Sequence, residues 1–416
     1  MIGDTTVNLF PNIFKLFKAG KVSTSESLSI ELTAMCDHYW VDYDNTQNTL
    51  LVGGRADDGS GNVNANVGLR YFFFVFFLNF KRKGNLISSL CRMDNILLAD
   101  TNARKAKRRS RRFIEKHDKN IIEEDRALAR SFSDLSYKTS PYVTYKIYEP
   151  KERLIYRLPY YPDRIAHHAI MNVVKEHWTK QFITNTYSCI EHRGIHKYLK
   201  DLKRDLRKTR GNNETQYCLK LDITKFYPSI DHNILKSIIS RKIKDTKVLE
   251  ILYEIIDSVN GINGVYGKGV PIGNYLSQYF ANLYLTGFDH WCKEELKCRY
   301  YYRYADDIVI LGESKAHLRN VLVAIKLYLK HVLKLGVKGN YQIFPVESRG
   351  IDFVGYVFRH DYIRVRKGIK NSCRKRIRHS NNLAGILPSY FGWFQHCNAV
   401  NLKRTILDEV RKIENK

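Results

Sequence analysis

Residues 299–311 of this 416-residue chain read R-Y-Y-Y-R-Y-A-D-D-I-V-I-L. The runs on either side of Asp306 and Asp307 are rich in aromatic and β-branched residues, which favour strands. The stretch therefore predicts a β-hairpin with two adjacent carboxylates at its tip. Burying two anions beside apolar strands is costly unless a cation neutralises them, and a hard divalent ion with oxygen ligands is the natural partner. A lone Asp-Asp pair is more often an ordinary turn or helix start, so this interpretation needs a second site elsewhere in the chain.

Asp222 lies near the end of a second apolar run, Tyr217–Ile223. Two metal ions held a few Å apart across a reacting phosphate need a third carboxylate in addition to Asp306 and Asp307. Asp222 is the candidate for that carboxylate. Together the two runs predict a two-metal site built on strands.

Three blocks follow one another along the chain: L-D-I-T-K-F-Y-P-S-I-D at 221–231, G-V-P-I-G-N-Y-L-S-Q-Y-F-A-N-L-Y-L at 269–285, and Y-A-D-D at 304–307. In order and spacing they resemble the conserved blocks of reverse transcriptases. The resemblance extends over about residues 81–416. It implies an α+β fold of the right-hand polymerase type, with fingers, a palm of antiparallel sheet plus helices, and a short helical thumb. The implied activity is that of an RNA-directed DNA polymerase.

The resemblance also implies the reacting groups. Asp222, Asp306 and Asp307 are expected to be the catalytic residues and, together with Ile223, to hold two Mg²⁺ ions, for which Mn²⁺ is a possible substitute. Ile223 is also expected to contact the incoming nucleotide.

The charge balance favours a polyanionic partner. The chain has 69 Lys and Arg against 42 Asp and Glu, a formal net charge of +27. Neutralised phosphates release counterions and so supply sequence-independent affinity. The expected partners are an RNA template, a DNA or RNA primer and dNTPs. The longest apolar stretch, residues 71–80, is too short to span a bilayer, so no membrane partner is expected.

The cysteines and the N-terminus indicate a cytoplasmic protein. The eight cysteines show no C-x-x-C spacing, so neither a zinc site nor a disulfide framework is predicted. The first ten residues, M-I-G-D-T-T-V-N-L-F, lack the basic and apolar regions of a signal peptide.

The chain is predicted to have four parts: an N-terminal extension at 1–80, N-terminal helices and fingers at 81–215, a palm at 216–358, and a basic helical thumb at 359–416. In the extension, residues 53–70 are rich in Gly, Asn and Asp and predict turns with short strands between them. This segment resembles, weakly, a fragment of the C-type-lectin-like or formylglycine-generating-enzyme fold.

Two further stretches stand between the extension and the fingers. Leu86, Leu90 and Leu97 are among the apolar residues at helical spacing that predict one helix with one apolar face. The basic run at 103–112 is either a solvated surface or a nucleic-acid contact, and the polymerase resemblance favours the contact.

Candidate nucleotide-binding residues lie first in the expected fingers. Binding a triphosphate needs several cations in a small volume, and Lys151, Arg153, Arg157 and Arg164 are available. Arg153 is preferred, followed by Lys151. For Arg157 and Arg164, surface salt bridges remain an alternative.

Other nucleotide contacts are implied by the palm blocks. The resemblance places Tyr227, with Phe226 as its apolar neighbour, under the sugar, where it would exclude a 2′-hydroxyl; plain core packing is the alternative. Gly273 would let the backbone approach the nascent base pair closely. Most reverse transcriptases have Gln and Pro where this chain has Ile272 and Gln278, and this departure resembles the enzymes of diversity-generating retroelements. Loss of the amide beside the templating base is consistent with the low fidelity at template adenines known for that group.

Arg193 and Gly194, at a turn before a helix, are candidate contacts to the nucleic-acid backbone. The resemblance further implies contacts by Lys338, on a strand that lies near the nucleotide in relatives, and by Gly355, in a block that supports the primer end in relatives. An ordinary glycine turn at Gly194 and a simple hairpin residue at Gly355 are the alternatives.

The most specific prediction is a diversity-generating retroelement enzyme. Such an enzyme copies a template-repeat RNA into error-prone, adenine-mutagenised cDNA that diversifies a variable gene, and it works with a small basic accessory protein. A group II intron-like maturase or a retron-type reverse transcriptase is the first alternative. The second is a non-catalytic nucleic-acid-binding protein on a polymerase scaffold. Residues 1–80 are then interpreted as translated template-repeat or flanking sequence joined to the enzyme.

Overall fold

The computed structural model describes residues 38–44, 49–55, 66–72, 82–105, 111–148, 152–260, 265–379 and 382–414. The chain divides into two compact units, Met1–Asn79 and Phe80–Lys416. Among the described residues, none of the helices has both the length and the apolar composition needed to cross a membrane.

The first unit contains an antiparallel sheet of three strands, β1 (His38–Asp44), β2 (Thr49–Arg55) and β3 (Asn66–Phe72), in that order. Gly53 and Gly54, which the sequence placed among turns, continue β2. Gly53 pairs on both sides, with residues of β1 and β3, so strand pairing here overrides the turn preference of glycine.

The strands of the second unit are β4 (Val143–Ile147), β5 (Arg153–Arg157), β6 (Tyr217–Asp222), β7 (Tyr300–Tyr304), β8 (Asp307–Gly312), β9 (Gln342–Pro345), β10 (Ile351–Phe353), β11 (Tyr356–Phe358) and β12 (Ile363–Val365). Its helices are α1 (Ile87–Leu90), α2 (Met93–Arg104), α3 (Arg111–Asp118), α4 (Ile121–Ser133), α5 (Ile165–Thr179), α6 (Ile195–Lys208), α7 (Phe226–Ser229), α8 (His232–Ser240), α9 (Thr246–Asp257), α10 (Tyr275–Tyr284), α11 (Thr286–Glu294), α12 (Lys315–His331), α13 (Val346–Arg349), α14 (Lys367–Arg378), α15 (Leu383–Phe394) and α16 (Val400–Glu414). Two shorter helical turns, Tyr160–Arg164 and Asn213–Thr215, precede α5 and β6.

The central sheet consists of four antiparallel strands in the order β7-β8-β6-β9. Alternating apolar side chains would give a strand one buried face, but the first four residues of β7 and the last five of β8 are all buried. The sheet is therefore covered on both faces, and continuous apolar runs fit that environment. Helix α12 contacts β6 and β8, and its first turn is capped by Ser314, whose hydroxyl oxygen accepts from the His317 N–H.

A second, lateral sheet has the strand order β10-β11-β12. Its apolar side chains share a core with residues of α6 and of the central sheet, and Tyr198 of α6 lies at ring-contact distance from both Tyr302 and Phe353. The predicted thumb range thus begins with a strand, because Ile363–Val365 completes this sheet before the C-terminal helices start.

The N-terminal helices differ from the single helix that the sequence predicts. Leu86, Leu90 and Ile96 are buried, but the backbone becomes extended at Arg92 and separates α1 from α2. Leu97 is 47% exposed, since the break changes which residues of α2 face the core. The strands β4 and β5 form a separate two-stranded hairpin.

The C-terminal helices α14, α15 and α16 have a small core of their own, which includes Cys373, Ile377, Phe394 and Ile406. They are joined to the lateral sheet through Trp393. The observed combination of helices with antiparallel sheets agrees with the predicted α+β class.

Candidate active site

The three predicted carboxylates meet at one end of the central sheet. Strands β6 and β8 are paired so that Asp222 stands directly opposite Asp307. Asp306 precedes Asp307 in the β7–β8 turn, and the Ile223 N–H donates to the Asp306 carbonyl oxygen at 3.3 Å. Residues separated by more than 80 positions in the chain thus lie side by side because the sheet order makes β6 and β8 neighbours.

Burial raises the pKa of both carboxyl groups in the turn. The pKa of Asp306 is raised first by burial and then by the neighbouring Asp222 carboxylate. The pKa of Asp307 is also raised, by burial and by Asp222, while Lys220, Lys338 and Arg366 oppose the increase. Burial is therefore the largest cause of the raised pKa at both residues of the turn.

The carboxylates have the chemistry expected of ligands for a hard divalent ion. Oδ1 of Asp222 is buried, and no N–H or hydroxyl group of the described residues donates to it. Oδ2 accepts from the ammonium of Lys338, whose own main-chain N–H donates to the Asp222 carbonyl oxygen at 2.8 Å. A buried carboxylate oxygen with no donor is suited to an oxygen-seeking cation.

The arrangement is nevertheless not a finished ligand shell. Within the described ranges, no three His, Cys, Asp or Glu side chains form a group arranged to hold a metal ion. Lys338 occupies one carboxylate oxygen of Asp222, so ion binding would require this ammonium to move or share the site. The side chain of Ile223 is fully buried, which limits its predicted contact with metal or nucleotide to its main chain.

Tyr227 lies beside the carboxylates, at the start of α7. It is partly exposed, and burial raises the pKa of its hydroxyl above the usual range, with Asp306 adding to the increase and Arg153 opposing it. Phe226 packs edge-on against Tyr227, with ring centroids 5.6 Å apart. Phe226 is only 2% exposed and supports Tyr227 from behind, and the nucleotide contact predicted for it stays a prediction.

The other predicted nucleotide contacts lie around the β4–β5 hairpin. Arg153 is exposed on β5, whereas Lys151 lies outside the described residues. Gly273 has a φ of +113°, and a Cβ there would lie 3.0 Å from Ile155 Cγ2 on β5. The hairpin thus approaches this glycine closely, and the predicted contact of Gly273 with the nascent base pair stays a prediction. Gln278 is partly buried on α10.

Arg193 and Gly355, two of the residues predicted to contact the nucleic-acid backbone, have close neighbours within the protein. Nη1 of Arg193 donates to the carbonyl oxygen of Ile183 at 2.6 Å, so this guanidinium stabilises a loop, and its predicted contact with a phosphate stays a prediction. Gly194 has a φ of +131° at the start of α6, and none of the described atoms lies within 4 Å of the position that a Cβ would take. At Gly355, a Cβ would lie 2.5 Å from Cζ3 of Trp393, so the C-terminal helices explain this glycine.

Two cations near Asp307 were not predicted. Nζ of Lys220 donates to the carbonyl oxygen of Asp352 at 2.6 Å, and Arg366 forms an ion pair with the Asp352 carboxylate at 2.5 Å. Lys220 could have been identified, because residues two apart on a strand share a face and Lys220 precedes Asp222 by two. Arg366 comes from a distant segment, and no local pattern indicates it.

Comparison with known proteins gives one family. The model of the family described as reverse transcriptase (RNA-dependent DNA polymerase) matches residues 149–358, half of the chain, and the match includes all three aspartates.

Among curated proteins, the chain is similar to Protein YkfC of Escherichia coli (strain K12), with 23% identity over 260 residues, 53% of this chain and 68% of that protein. It is also similar to the putative COX1/OXI3 intron 2 protein of Saccharomyces cerevisiae, with 24% identity over 207 residues, 35% of this chain and 24% of that protein. The group II intron-encoded protein LtrA of Lactococcus lactis subsp. cremoris is 27% identical over 135 residues, 32% of this chain and 22% of that protein. The chain thus spans about a quarter or less of the two intron-encoded relatives.

Among solved structures, telomerase from Candida albicans in complex with a fragment of telomeric RNA matches with a TM-score of 0.44 and 12% identity, over 67% of this chain and 55% of that chain. Apo telomerase from Candida tropicalis matches with a TM-score of 0.41 and 13% identity, over 54% of this chain and 48% of that chain.

Proposed function

The chain belongs to the reverse transcriptase (RNA-dependent DNA polymerase) family, and from this membership we propose that it extends a primer with dNTPs on an RNA template. The family match confirms the predicted enzyme class, an RNA-directed DNA polymerase. Together with the observed α+β architecture, it also confirms the right-hand polymerase fold.

Asp222, Asp306 and Asp307 are proposed as the catalytic carboxylates. The observation that supports this assignment best is the pairing of β6 with β8, which sets Asp222 opposite Asp307 and leaves one buried Asp222 oxygen without a donor. Two Mg²⁺ ions, or Mn²⁺ in their place, would supply charge that lowers the pKa of the primer 3′-hydroxyl and stabilises the departing pyrophosphate. The carboxylates would hold these ions, with the main chain of Ile223 close by.

The residues around the carboxylates fit the roles of nucleotide and primer contacts. Arg153, exposed on β5 and near enough to Tyr227 to affect its pKa, is proposed to bind the triphosphate. Tyr227 is proposed to lie under the sugar, supported from behind by Phe226. Lys338 neutralises Asp222 while the nucleotide is absent and is proposed to contact the nucleotide once it binds.

Primer extension tests this assignment. Asp306→Asn is expected to lower single-nucleotide extension of a DNA primer on an RNA template by about 10³-fold or more, because several kcal/mol of charge stabilisation depend on this carboxylate. Glu313→Gln is the matched control, since Glu313 is an exposed carboxylate just beyond β8 and should leave the rate unchanged. Extension by Asp306→Asn at the wild-type rate would falsify the assignment.

The enzyme is further proposed to belong to a diversity-generating retroelement, with a template-repeat RNA as template and a small basic accessory protein as partner. Ile272 and Gln278, which stand where most reverse transcriptases have Gln and Pro, support this proposal. Both residues belong to the segment whose carbonyl at Ile272 accepts from the Tyr156 N–H of β5 at 3.0 Å. The segment that departs from most reverse transcriptases is therefore hydrogen-bonded to the hairpin that carries Arg153.

A group II intron-like enzyme is the competing proposal, supported by similarity to two intron-encoded proteins. Sequencing cDNA made on an RNA of defined sequence separates the two. The retroelement proposal expects errors concentrated opposite template adenines, and Ile272→Gln should reduce that excess while Glu313→Gln leaves it unchanged. Errors spread evenly over the four template bases would favour the intron-like enzyme.

A further inference from the structure

Arg303 is a fully buried cation on β7, next to the turn that carries the catalytic pair. Its guanidinium faces the equally buried Asp289 of α11 in a two-pronged contact, with Nε 2.7 Å from Oδ1 and Nη2 2.6 Å from Oδ2. Arginine and a carboxylate are matched in shape for such a pair, which fixes the plane of the guanidinium as well as its position.

The remaining nitrogen of Arg303 reaches the turn itself. Nη1 donates to the Ala305 carbonyl oxygen at 2.9 Å and to Asn282 Oδ1 of α10 at 3.2 Å. Ala305 has a φ of +55°, a backbone conformation that residues other than glycine seldom adopt. Its carbonyl belongs to the peptide group that joins Ala305 to Asp306. The hydrogen bond from Arg303 therefore fixes the orientation of that peptide group and, with it, the backbone of Asp306.

The network continues on the far side of Asp289. Its two oxygens also accept from the Tyr301 hydroxyl at 2.6 Å and from the Thr186 hydroxyl at 3.1 Å. The turn is thereby connected to α10, to α11 and to the loop at Thr186. Desolvating two charges costs several kcal/mol each, and buried ion pairs are often less stabilising than apolar residues of the same volume. Stability alone therefore does not account for this pair.

We propose that Arg303, held by Asp289, is a positioning residue that orients Asp306 and Asp307 for polymerisation. The inference rests on the proposed catalytic function of those two aspartates. Lysine is not an equivalent of Arg303, because a single ammonium on a flexible stem lacks the planar fork that bridges the carboxylate and the Ala305 carbonyl.

The test compares Arg303→Lys with Val321→Ala in the full chain. Val321 is fully buried on α12 and makes none of the hydrogen bonds of the network, so its truncation destabilises the core and leaves those bonds in place. Single-nucleotide extension on a primed RNA gives kcat and the KM for the dNTP, and thermal unfolding gives Tm. Arg303→Lys is expected to lower kcat by about 10- to 100-fold, as small misplacements of reacting groups do, with KM changed less than about threefold. Val321→Ala is expected to lose Tm and keep its kcat.

Asp289→Asn is a second variant for the same measurements. If Arg303→Lys does not fold, Asp289→Asn alone tests the inference. It preserves size but weakens the hold on Arg303, so kcat should fall less than in Arg303→Lys and KM should stay the same. Wild-type kcat in the folded variants, or an equal loss of kcat in Val321→Ala, would overturn the inference. If Asp306→Asn extends primers normally, it is the proposed function that fails; if Asp306→Asn is inactive but the Arg303 and Asp289 variants are not, only the positioning role fails.

Discussion

Asp222, which is partly exposed, and Asp125, which is fully buried, differ in their surroundings. Asp222 faces two other carboxylates but has the Lys338 ammonium as a partner. Asp125, on α4, is fully buried, and neither of its oxygens accepts a hydrogen bond from the described residues. Nε2 of His117 lies 3.5 Å from Oδ1 of Asp125. An effect of pH on stability can therefore be measured at Asp125, which is not one of the proposed catalytic carboxylates.

Asp125→Asn is expected to remove a pH-dependent loss of stability. Burial raises the pKa of Asp125 to about 6, with Asp100 and Glu124 adding to the increase and His117 and Arg104 opposing it. A raised pKa means that the folded state favours the protonated carboxyl, so the contribution to stability is complete below about pH 4 and is lost as the pH rises through 6. Between pH 4 and pH 8, the free energy of unfolding of Asp125→Asn should improve relative to wild type by about 3 kcal/mol at most.

Urea unfolding at several pH values measures this difference. Glu123→Gln is the matched control, because Glu123 is exposed on the same helix and should follow the wild-type profile. Parallel profiles for wild type and Asp125→Asn would show that Asp125 ionises normally.

The strands of the active site are the elements that the sequence predicts best. The runs at 217–223 and 299–311 became β6, β7 and β8 with small shifts at their ends, because aromatic and β-branched residues favour strands whatever lies nearby. The turn between β7 and β8 follows from the same local pattern. Whether Asp222 reaches the turn depends on the strand order, which no local signal indicates. The family resemblance implied only that the three aspartates act together.

The contacts that some site residues make within the fold could not be read from the sequence. Arg193, Gly273 and Gly355 are predicted to contact nucleic acid or nucleotide, and within the fold they also lie close to Ile183, Ile155 and Trp393 respectively. Only the folded chain brings these pairs together. Arg303 and Asp289 are each a charged residue within an otherwise apolar or aromatic segment. A charged residue in such a segment usually has a buried partner, so the sequence does indicate that each is paired.

The junction between the lateral sheet and the C-terminal helices depends on Gly355. Gly355→Ala would place a methyl group 2.5 Å from Trp393 Cζ3 at a φ of +89°. Overpacking and backbone strain together should lower the free energy of unfolding by about 2–5 kcal/mol. Urea unfolding measures the loss, and the length of primer-extension products tests the prediction that the C-terminal helices hold the duplex.

Gly392→Ala is the matched control for Gly355→Ala. Gly392 lies on α15 one residue before Trp393, and no described atom lies within 4 Å of the position its Cβ would take. Because alanine is the better helix former, this variant should be as stable as wild type or about 1 kcal/mol more stable. If Gly355→Ala is also as stable as wild type, Trp393 can move away and the junction is looser than the contact indicates.

The proposed catalytic residues all belong to the second unit of the chain, and none belongs to the first 79 residues. The three aspartates, the Arg303 network and the family match all fall within the second unit, which has its own core. The net charge of +27 belongs mainly to the same part, since the first 80 residues are poor in Lys and Arg. Affinity for an RNA backbone, which follows the number of phosphates neutralised, is therefore expected to reside in the second unit.

A chain beginning at Lys81 is accordingly expected to polymerise as well as the full chain. Its kcat and KM on a primed RNA should agree with the full-length values within about twofold, a difference of less than half a kcal/mol in activation free energy. Its affinity for the primed RNA, measured at two salt concentrations, should show the same salt dependence, because the number of neutralised phosphates is unchanged. Asp306→Asn in the shortened chain is the control that any remaining extension comes from the same site. If the shortened chain folds, as judged by an unchanged Tm, but loses most of its activity, the first unit takes part in polymerisation and is not simply flanking sequence joined to the enzyme.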